Sequence, residues 1–250
     1  MMYKEIYTIW LREIKKALSD KWELIIGIGW PLFLIFVIGI GIDSFVDLKN
    51  LGVSYTELLG PGVIAILAMG GAMSIGNSII EDKKGFIKEL LVAPISRSSI
   101  FIGKVIGEMT INFLMTLIII IFFLAFIKAL NIISLLWALV FMFLLAFGFY
   151  GFGIVLSSLF KKTKSYQIIT GLIMTFMIFL SGAFFPIKNL PSLLRFFVNI
   201  NPLTYGVDGL RNVLIGFSEF NLAFDLSFLV IFGLIMLVLG SYLFKISVEK

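Results

Sequence analysis

The stretch MTINFLMTLIIIIFFLAFI, residues 109–127, decides the fold because it runs its whole length without a charged side chain. About 20 predominantly apolar residues let an α-helix cross the hydrocarbon core of a lipid bilayer. A strand of a membrane β-barrel would instead alternate apolar and polar residues over about ten positions. The stretch therefore predicts a transmembrane helix.

Five more uncharged runs of similar length predict five more transmembrane helices. The six predicted spans cover residues 24–42, 58–80, 109–127, 129–160, 165–187 and 226–244. The composition agrees, because 60% of the 250 residues are hydrophobic, only 14% are charged and the mean hydropathy is +1.09. We expect an all-α integral membrane protein in which residues 1–250 form a single transmembrane domain. No stretch resembles a removable signal peptide, so the first span should be retained.

The distribution of positive charge predicts the orientation. Fifteen of the 20 Lys and Arg residues lie on the side of the predicted spans that carries both termini and residues 81–104. Cytoplasmic loops of membrane proteins carry an excess of Lys and Arg. We therefore expect a multi-pass protein of the cytoplasmic (cell) membrane with both termini in the cytoplasm. The same placement explains the net charge of +5 without a nucleic-acid partner.

The composition also removes most catalytic functions. The chain has no Cys and no His, so it lacks thiolate metal ligands and the commonest general base. An intramembrane hydrolase would need a nucleophile with a base, paired carboxylates or metal ligands. Glu108 is the only carboxylate near a span, and its spacing from Lys104 suggests a paired surface group more than a proton site. We expect no catalytic residue and no metal site.

Residues 3–20 form the first organised segment outside the spans. Apolar residues recur at three- and four-residue spacing, as in an amphipathic helix lying on a membrane surface. The apolar face comprises Tyr3, Ile6, Tyr7, Trp10, Ile14, Ala17 and Leu18, and the polar face comprises Lys4, Glu5, Arg12, Glu13, Lys15 and Lys16. A surface anchor explains this pattern, with a regulatory role as the alternative.

Residues 81–104, EDKKGFIKELLVAPISRSSIFIGK, form a charged cytoplasmic loop between the second and third spans. A short helix starting near Gly85 would place Phe86, Ile87, Leu90 and Leu91 on one side, and Pro94 would end it. That helix could lie on the lipid headgroups or dock on another protein. Because it joins a transmembrane helix over a short distance, it could transmit displacement to that helix.

Residues 188–225 form a long outer connection between the fifth and sixth spans. Its apolar stretches, 193–198 and 207–217, are too short to cross the membrane and fit re-entrant helices at the outer face. Prolines at 186, 191 and 202 supply the breaks. Asp208 and Arg211 are three residues apart, which predicts a structural ion pair at the surface, with a gate contact as the alternative.

Uncharged polar residues inside or near the spans could bond between helices or line a wet translocation path. They are Asn77, Asn112, Gln167 and Thr170. Gly103 and Gly107 form a G-x-x-x-G at the start of the third span, and small residues recur in GGAMSIGNS and GFYGFG. These patterns fit helix packing within one chain as well as dimerisation.

Two blocks carry a family resemblance. KELLVAPISRSSIFIGKVIGE, residues 88–108, resembles the first cytoplasmic loop of type-2 ATP-binding-cassette (ABC) exporter permeases. NINPLTYGVDGLRNVLIG, residues 199–216, is similar to the outer-loop motif of the same family. Both blocks occur in the expected order, and their sequences most resemble the drug and lipo-oligosaccharide exporter branch.

The resemblance implies a permease subunit that pairs with a second permease, as a homodimer or with a similar chain, and with two cytosolic ABC ATPase subunits. It makes residues 3–20 a connecting helix and gives the 81–104 loop a coupling helix whose ATPase-facing residues are Phe86, Ile87, Lys88, Glu89, Leu90, Leu91, Pro94 and Arg97. It also makes Asn201, Pro202, Tyr205, Asp208 and Arg211 the outer-gate motif.

The residues independently favour an external energy source. These 250 residues contain no G-x-x-x-x-G-K-[ST] phosphate loop, so we expect ATP and magnesium on the partner subunit and no cofactor on this chain. The predicted spans also lack the deep ionisable groups of secondary carriers. An amphipathic or lipid-linked cargo suits the apolar spans. An ATP-independent carrier and a non-transporting subunit of an ATPase-linked sensor remain alternatives.

Overall fold

The computed structural model describes residues 2–45, 52–82, 97–129, 131–187 and 190–249, and these residues form helices and connecting turns without a strand. The helices are α1 (Met2–Ser19), α2 (Lys21–Phe33), a π-helical segment (Leu34–Ile38), α3 (Gly39–Asp43), α4 (Tyr55–Met73), α5 (Ile75–Asp82), α6 (Arg97–Phe126), α7 (Ile132–Leu159), α8 (Thr163–Phe179), α9 (Ser192–Ile200), α10 (Pro202–Ile215) and α11 (Leu222–Glu249). The all-α prediction is confirmed for this part of the chain.

Among the described residues, five helices are long and apolar enough to cross a membrane. They are Lys21–Asp43, Tyr55–Glu81, Ile102–Phe126, Ile132–Leu159 and Leu222–Leu243. The predicted span at residues 165–187 is helical only as far as Phe179, and α8 has 17 residues, at the short end of the range that crosses a bilayer. The chain beyond α8 turns, with Gly182 in the left-handed conformation at φ +74°. A sixth span therefore stays a prediction.

The first two spans are interrupted helices. Pro31 lies inside α2 and lacks the N–H that a continuous helix needs, and the π-helical segment follows three residues later. The second span divides at Ser74, between α4 and α5. The Asp43 carboxylate accepts hydrogen bonds from the Tyr55 backbone N–H and the Thr56 hydroxyl, so the end of the first span is tied to the start of the second.

The core lies between α4, α7 and α10, and α11 packs on α7 and α10. Its largest fully buried apolar side chains include Met69, Phe123, Phe141 and Phe149. Large apolar side chains are exposed on the outside of the bundle, as Ile26, Phe176 and Val238 illustrate. Core and peripheral side chains are both apolar, so they differ in how closely they are packed and not in hydrophobicity. This is expected for helices that face hydrocarbon.

Small residues bring these helices close together within the chain. A Cβ atom added to Gly76 would lie 2.2 Å from the Tyr166 ring, and one added to Gly151 would lie 2.8 Å from the backbone of Met236. The small-residue patterns fitted either packing within one chain or dimerisation. At Gly76 and Gly151 the structure shows packing within one chain. Close backbone approach is the usual role of such residues in membrane helices.

Candidate functional site

The predicted coupling helix lies outside the described residues. This applies to Phe86, Ile87, Lys88, Glu89, Leu90, Leu91 and Pro94, whose roles stay predictions. The structure does place both flanks, because α5 ends at Asp82 and α6 begins at Arg97. A displacement of residues 83–96 would therefore act directly on the first turns of α6.

Helix α1 packs on those first turns. The Trp10 Nε1–H donates to Thr110 Oγ1 at 3.1 Å, and Ile9 and Glu13 are buried in the contact. Arg12 Nη1 donates to Glu13 Oε1 at 2.9 Å. The sequence had placed Glu13 on an exposed polar face, and that prediction is wrong because α6 covers it. Tyr3, Tyr7 and Leu18 are exposed, so an apolar face of α1 is left for a membrane surface.

The G-x-x-x-G of α6 is what lets α1 approach. A Cβ atom at Gly103 would lie 2.9 Å from both Ile6 O and Ile9 Cβ, and a Cβ atom at Gly107 would lie 2.7 Å from Glu13 Cβ. These distances are shorter than real Cβ contacts allow, so any side chain would push the two helices apart. We call this contact between α1 and residues 103–110 the α1–α6 joint.

We expect Gly107→Leu to detach α1 and to lower stability by about 1–3 kcal/mol, the usual cost of overpacking. Gly171→Leu is the matched control, because a Cβ atom at this α8 position meets nothing within 4 Å. Detachment can be measured by joining cysteines introduced at Trp10 and Thr110 with a short bifunctional thiol reagent, since the chain has no native Cys. Equal cross-linking in both glycine variants would show that the joint is not tightly packed.

A polar cavity of about 240 Å³ lies beside this joint, between α1, α2, α4, α5 and α6. Its polar lining includes Glu13, Lys16, Asn77, Ser78, Glu108 and Asn112. The structure thus brings together two of the four polar residues that the sequence proposed for a translocation path, Asn77 and Asn112. In the same region Lys104 Nζ donates to the Ser78 carbonyl at 3.1 Å, which ties α6 to α5.

Glu108 faces this cavity, and its Oε2 atom is buried. The expectation of a carboxylate at the protein surface is therefore wrong. Lys104 is one of its electrostatic neighbours, as the four-residue spacing predicted, but Lys104 is itself buried. The pair lies inside the protein because α1 and α5 cover this part of α6.

Asn112 joins the polar cavity to an apolar groove. Its Nδ2–H donates to the Ala68 carbonyl at 3.0 Å, and Thr116 Oγ1 donates to the Asn112 carbonyl at 2.8 Å. The groove has a volume of about 360 Å³ and is lined by Asn112, Thr116 and Tyr150 together with apolar side chains such as Met109, Phe113 and Phe143. A polar compartment and an apolar compartment therefore meet at one buried amide.

The other two predicted polar residues lie elsewhere. Thr170 is buried in α8, whereas Gln167 is exposed, and neither is among the described residues that line the cavity. The sequence missed Tyr166 on the same helix. Its hydroxyl donates to the Met73 carbonyl at 2.7 Å, at the break between α4 and α5. An aromatic residue with a polar tip near the end of a span was the available signal.

The predicted outer motif forms a buried polar network around α10. Asn201 Oδ1 accepts from the Leu203 N–H at 3.0 Å and so caps α10, with Pro202 at the first helical position. Asn201 Nδ2 donates to the Met177 and Leu180 carbonyls at 2.7 and 3.0 Å. The α10 start is thereby fixed to the α8 end.

Tyr205 connects α10 to the next span. Its hydroxyl donates to the Asn199 carbonyl, and its ring stacks on Phe228 of α11 with centroids 3.9 Å apart. Phe220 and Phe224 contact the other edges of the same ring. This residue is 3% exposed, so its ring acts as packing between the α10 motif and α11.

Asp208 and Arg211 do not form the predicted surface pair. Both are buried, at 1% and 0% exposure, and the ion pairs within 4 Å among the described residues do not include them. Arg211 Nη2 donates to the Gly182 and Ala183 carbonyls at 2.8 and 3.0 Å, and its Nε–H donates to the Leu58 carbonyl at 3.2 Å. Arg211 therefore joins three chain segments through their backbones.

Asp208 fixes the loop after α10. Its two carboxylate oxygens accept the Glu219 and Phe220 N–H groups at 2.8 and 2.9 Å. Burial raises the pKa of the Asp208 carboxyl, and the two N–H donors and Arg211 oppose that rise. Burial also lowers the pKa of Arg211 to about 10, which leaves the guanidinium protonated near neutral pH.

The sequence also missed Asp225, which it placed at the end of an exposed connection. The residue lies in the first turn of α11 and is 0% exposed. A single carboxylate directly before an uncharged run was the signal that could have found it.

Comparison with known proteins agrees with this architecture. Residues 4–215 match the family described as ABC-2 type transporter. The chain is 28% identical over 240 residues to "Putative transport permease ycf38" of Cyanophora paradoxa, covering 89% of this chain and 81% of that protein. It is 27% identical over 197 residues to the protein of the same name from Porphyra purpurea, covering 76% and 67% of the two chains.

The match runs from α1 through the end of α10, so it includes the α1–α6 joint, the polar cavity and the α10 network. It covers well over half of the 250 residues. This chain belongs to the ABC-2 type transporter family and is a multi-pass membrane permease.

Proposed function

We propose that the chain is the transmembrane permease subunit of an ABC exporter and moves its substrate with ATP hydrolysed by a separate ATPase. Family membership is the observation that carries the proposal, because ABC-2 permeases normally work with an ATPase partner. The α1–α6 joint supports it physically. Residues 83–96 directly precede α6 in the sequence, and α1 packs on the first turns of α6, so a displacement of those turns would move α1 and α6 together.

The substrate class follows from the two compartments that meet at Asn112. The polar cavity offers carboxylates, a lysine and amides, whereas the groove beside it offers mostly apolar side chains. A molecule with a polar head and an apolar tail could occupy both. We propose an amphipathic or lipid-linked substrate, such as a drug-like molecule, a lipid or a lipid-linked glycan.

The complete transporter would contain two permeases and two ATPases in the cytoplasmic membrane. The charge distribution supports cytoplasmic termini, which would place the α1–α6 joint at the inner leaflet and the α10 network at the outer side. Two permeases would form the translocation path between them. A homodimer is the simplest arrangement because one kind of chain then supplies both halves.

The proposal can be tested by purifying the tagged full-length chain in mild detergent from its own cells. We expect a P-loop ATPase to co-purify and to hydrolyse ATP in the complex. A fluorescent short-chain phospholipid in reconstituted vesicles then serves as the transport probe. If no ATPase co-purifies and an ion gradient alone drives uptake by the chain, the protein is a secondary carrier. If an ATPase co-purifies but turnover never moves an amphipathic probe, a sensor subunit replaces the exporter.

A further inference from the structure

Asp225 is a buried carboxyl group that receives no hydrogen bond from the part of the chain that the structure describes. Its side chain is 0% exposed, and no N–H or O–H group of the described residues donates to its Oδ1 or Oδ2 atom. An ionised carboxylate in such a place would lose its hydration without compensation, which is among the most costly arrangements in a protein. Burial therefore favours the neutral, protonated form of this group.

Its neighbour is Asp208, a carboxylate in the opposite situation. Asp208 accepts two backbone N–H groups from the loop after α10, and Arg211 is a further favourable electrostatic neighbour. Hydrogen bonds of this kind stabilise the ionised form of a carboxyl group. Asp208 therefore carries the negative charge. Asp225 lies between Phe224 and Phe228 of α11, whose rings pack on Tyr205 of α10, and Asp208 is its charged neighbour.

Two adjacent buried carboxyl groups cannot both be ionised without strong repulsion, and such pairs usually share one proton. We propose that Asp225 and Asp208 form a proton-binding site, in which the neutral Asp225 carboxyl donates its O–H to the Asp208 carboxylate and so joins α11 to α10. The proposal goes beyond the transport function.

The other charged and titratable groups around the pair leave this assignment intact. From α10 the pair is faced by Tyr205 and Arg211, and from the following loop by Glu219. Three donor contacts from Arg211 go to backbone carbonyls of other segments. On α7, the other helix packed against α11, the one titratable residue is Tyr150, which lies in the apolar groove with Asn112.

Loss of the proton would place two negative charges side by side between α10 and α11. The α10 network holds Asp208 in place through the Glu219 and Phe220 N–H groups, so the repulsion would act on α11. The contact between the re-entrant segment and the last span should therefore open as pH rises. The orientation predicted from the Lys and Arg distribution places this contact at the outer side, where it would respond to pH outside the cell.

The direct test is infrared difference spectroscopy of the full-length protein in lipid nanodiscs, which detects the C=O stretch of a protonated carboxyl group. We expect such a band in the wild type, its loss in Asp225→Asn and its persistence in Glu108→Gln, which removes another carboxyl group with a buried oxygen. Carbon-13 labelling of aspartate carboxyls should shift the band, whereas labelling of glutamate carboxyls should not. The isotope arm assigns the band to aspartate even if Asp225→Asn fails to fold.

The second measurement is reversible unfolding as a function of pH. A proton held by the folded protein and not by the unfolded chain makes the folding equilibrium constant fall about tenfold per pH unit once the unfolded group is ionised. We expect the folding equilibrium constant of Asp225→Asn to lack this tenfold change per pH unit, because the variant has one proton fewer to lose. A wild type without an aspartate-dependent band would overturn the proposal, as would stability that depends on sodium concentration and not on pH.

Discussion

Replacing Arg211 with methionine is expected to lower the free energy of unfolding by at least about 3 kcal/mol and to prevent normal accumulation in the membrane. The physical reason is that Arg211 donates to carbonyls of Leu58, Gly182 and Ala183, which no other described side chain is seen to satisfy. A methionine side chain fills a similar volume but has no hydrogen-bond donor. It also leaves the ionised Asp208 without its cationic neighbour.

Arg195→Met is the matched control, because Arg195 is exposed on α9 and its loss should change stability by less than about 1 kcal/mol. Arg211→Lys should retain the charge but not the fork of donors, so an intermediate loss is expected. Denaturant unfolding in detergent and the amount of membrane-inserted protein measure both effects. Wild-type stability in Arg211→Met would show that the α10 network does not hold the bundle together.

The double variant Phe86→Ala with Leu90→Asp is expected to abolish ATP-driven transport while leaving membrane insertion unchanged. Both positions belong to the predicted apolar face of the coupling helix, and a charge on that face should loosen its seating in the ATPase, so that movement of the ATPase no longer reaches the permease.

ATP hydrolysis and movement of the fluorescent phospholipid should be measured on the same vesicles. Hydrolysis that continues without movement of the probe is the expected uncoupled result. Lys83→Ala with Lys84→Ala is the control, because it alters the same segment outside the predicted ATPase-facing residues. Normal transport by the Phe86 and Leu90 double variant would contradict the coupling assignment.

The sequence predicted the membrane fold well because continuous apolar runs depend on local composition alone. It overextended the fifth span, since residues 180–187 are apolar enough to continue a helix but contain Gly182 in a left-handed turn. Hydropathy does not report backbone conformation. A glycine followed four residues later by proline is the local sign that the helix had already ended.

The sequence identified several residues of the candidate site but not the partners that they contact. Asn112, Asp208 and Arg211 were selected as unusual residues, yet their partners are Ala68, Phe220 and Leu58, all remote in sequence or in other elements. No periodic pattern reports which backbone carbonyl a side chain will reach. Glu13 was misplaced for the same reason, because only α6 determines which face of α1 is covered.

The most direct test of the account is chemical cross-linking in intact cells from a single cysteine at Leu90. The chain has no native Cys, so a thiol-reactive cross-linker can act only at the introduced position. We predict a cross-linked product that contains a P-loop ATPase, and none from Ile133→Cys, which is exposed at the other end of the bundle. Cross-linking to the ATPase from Ile133 and not from Leu90 would contradict the account.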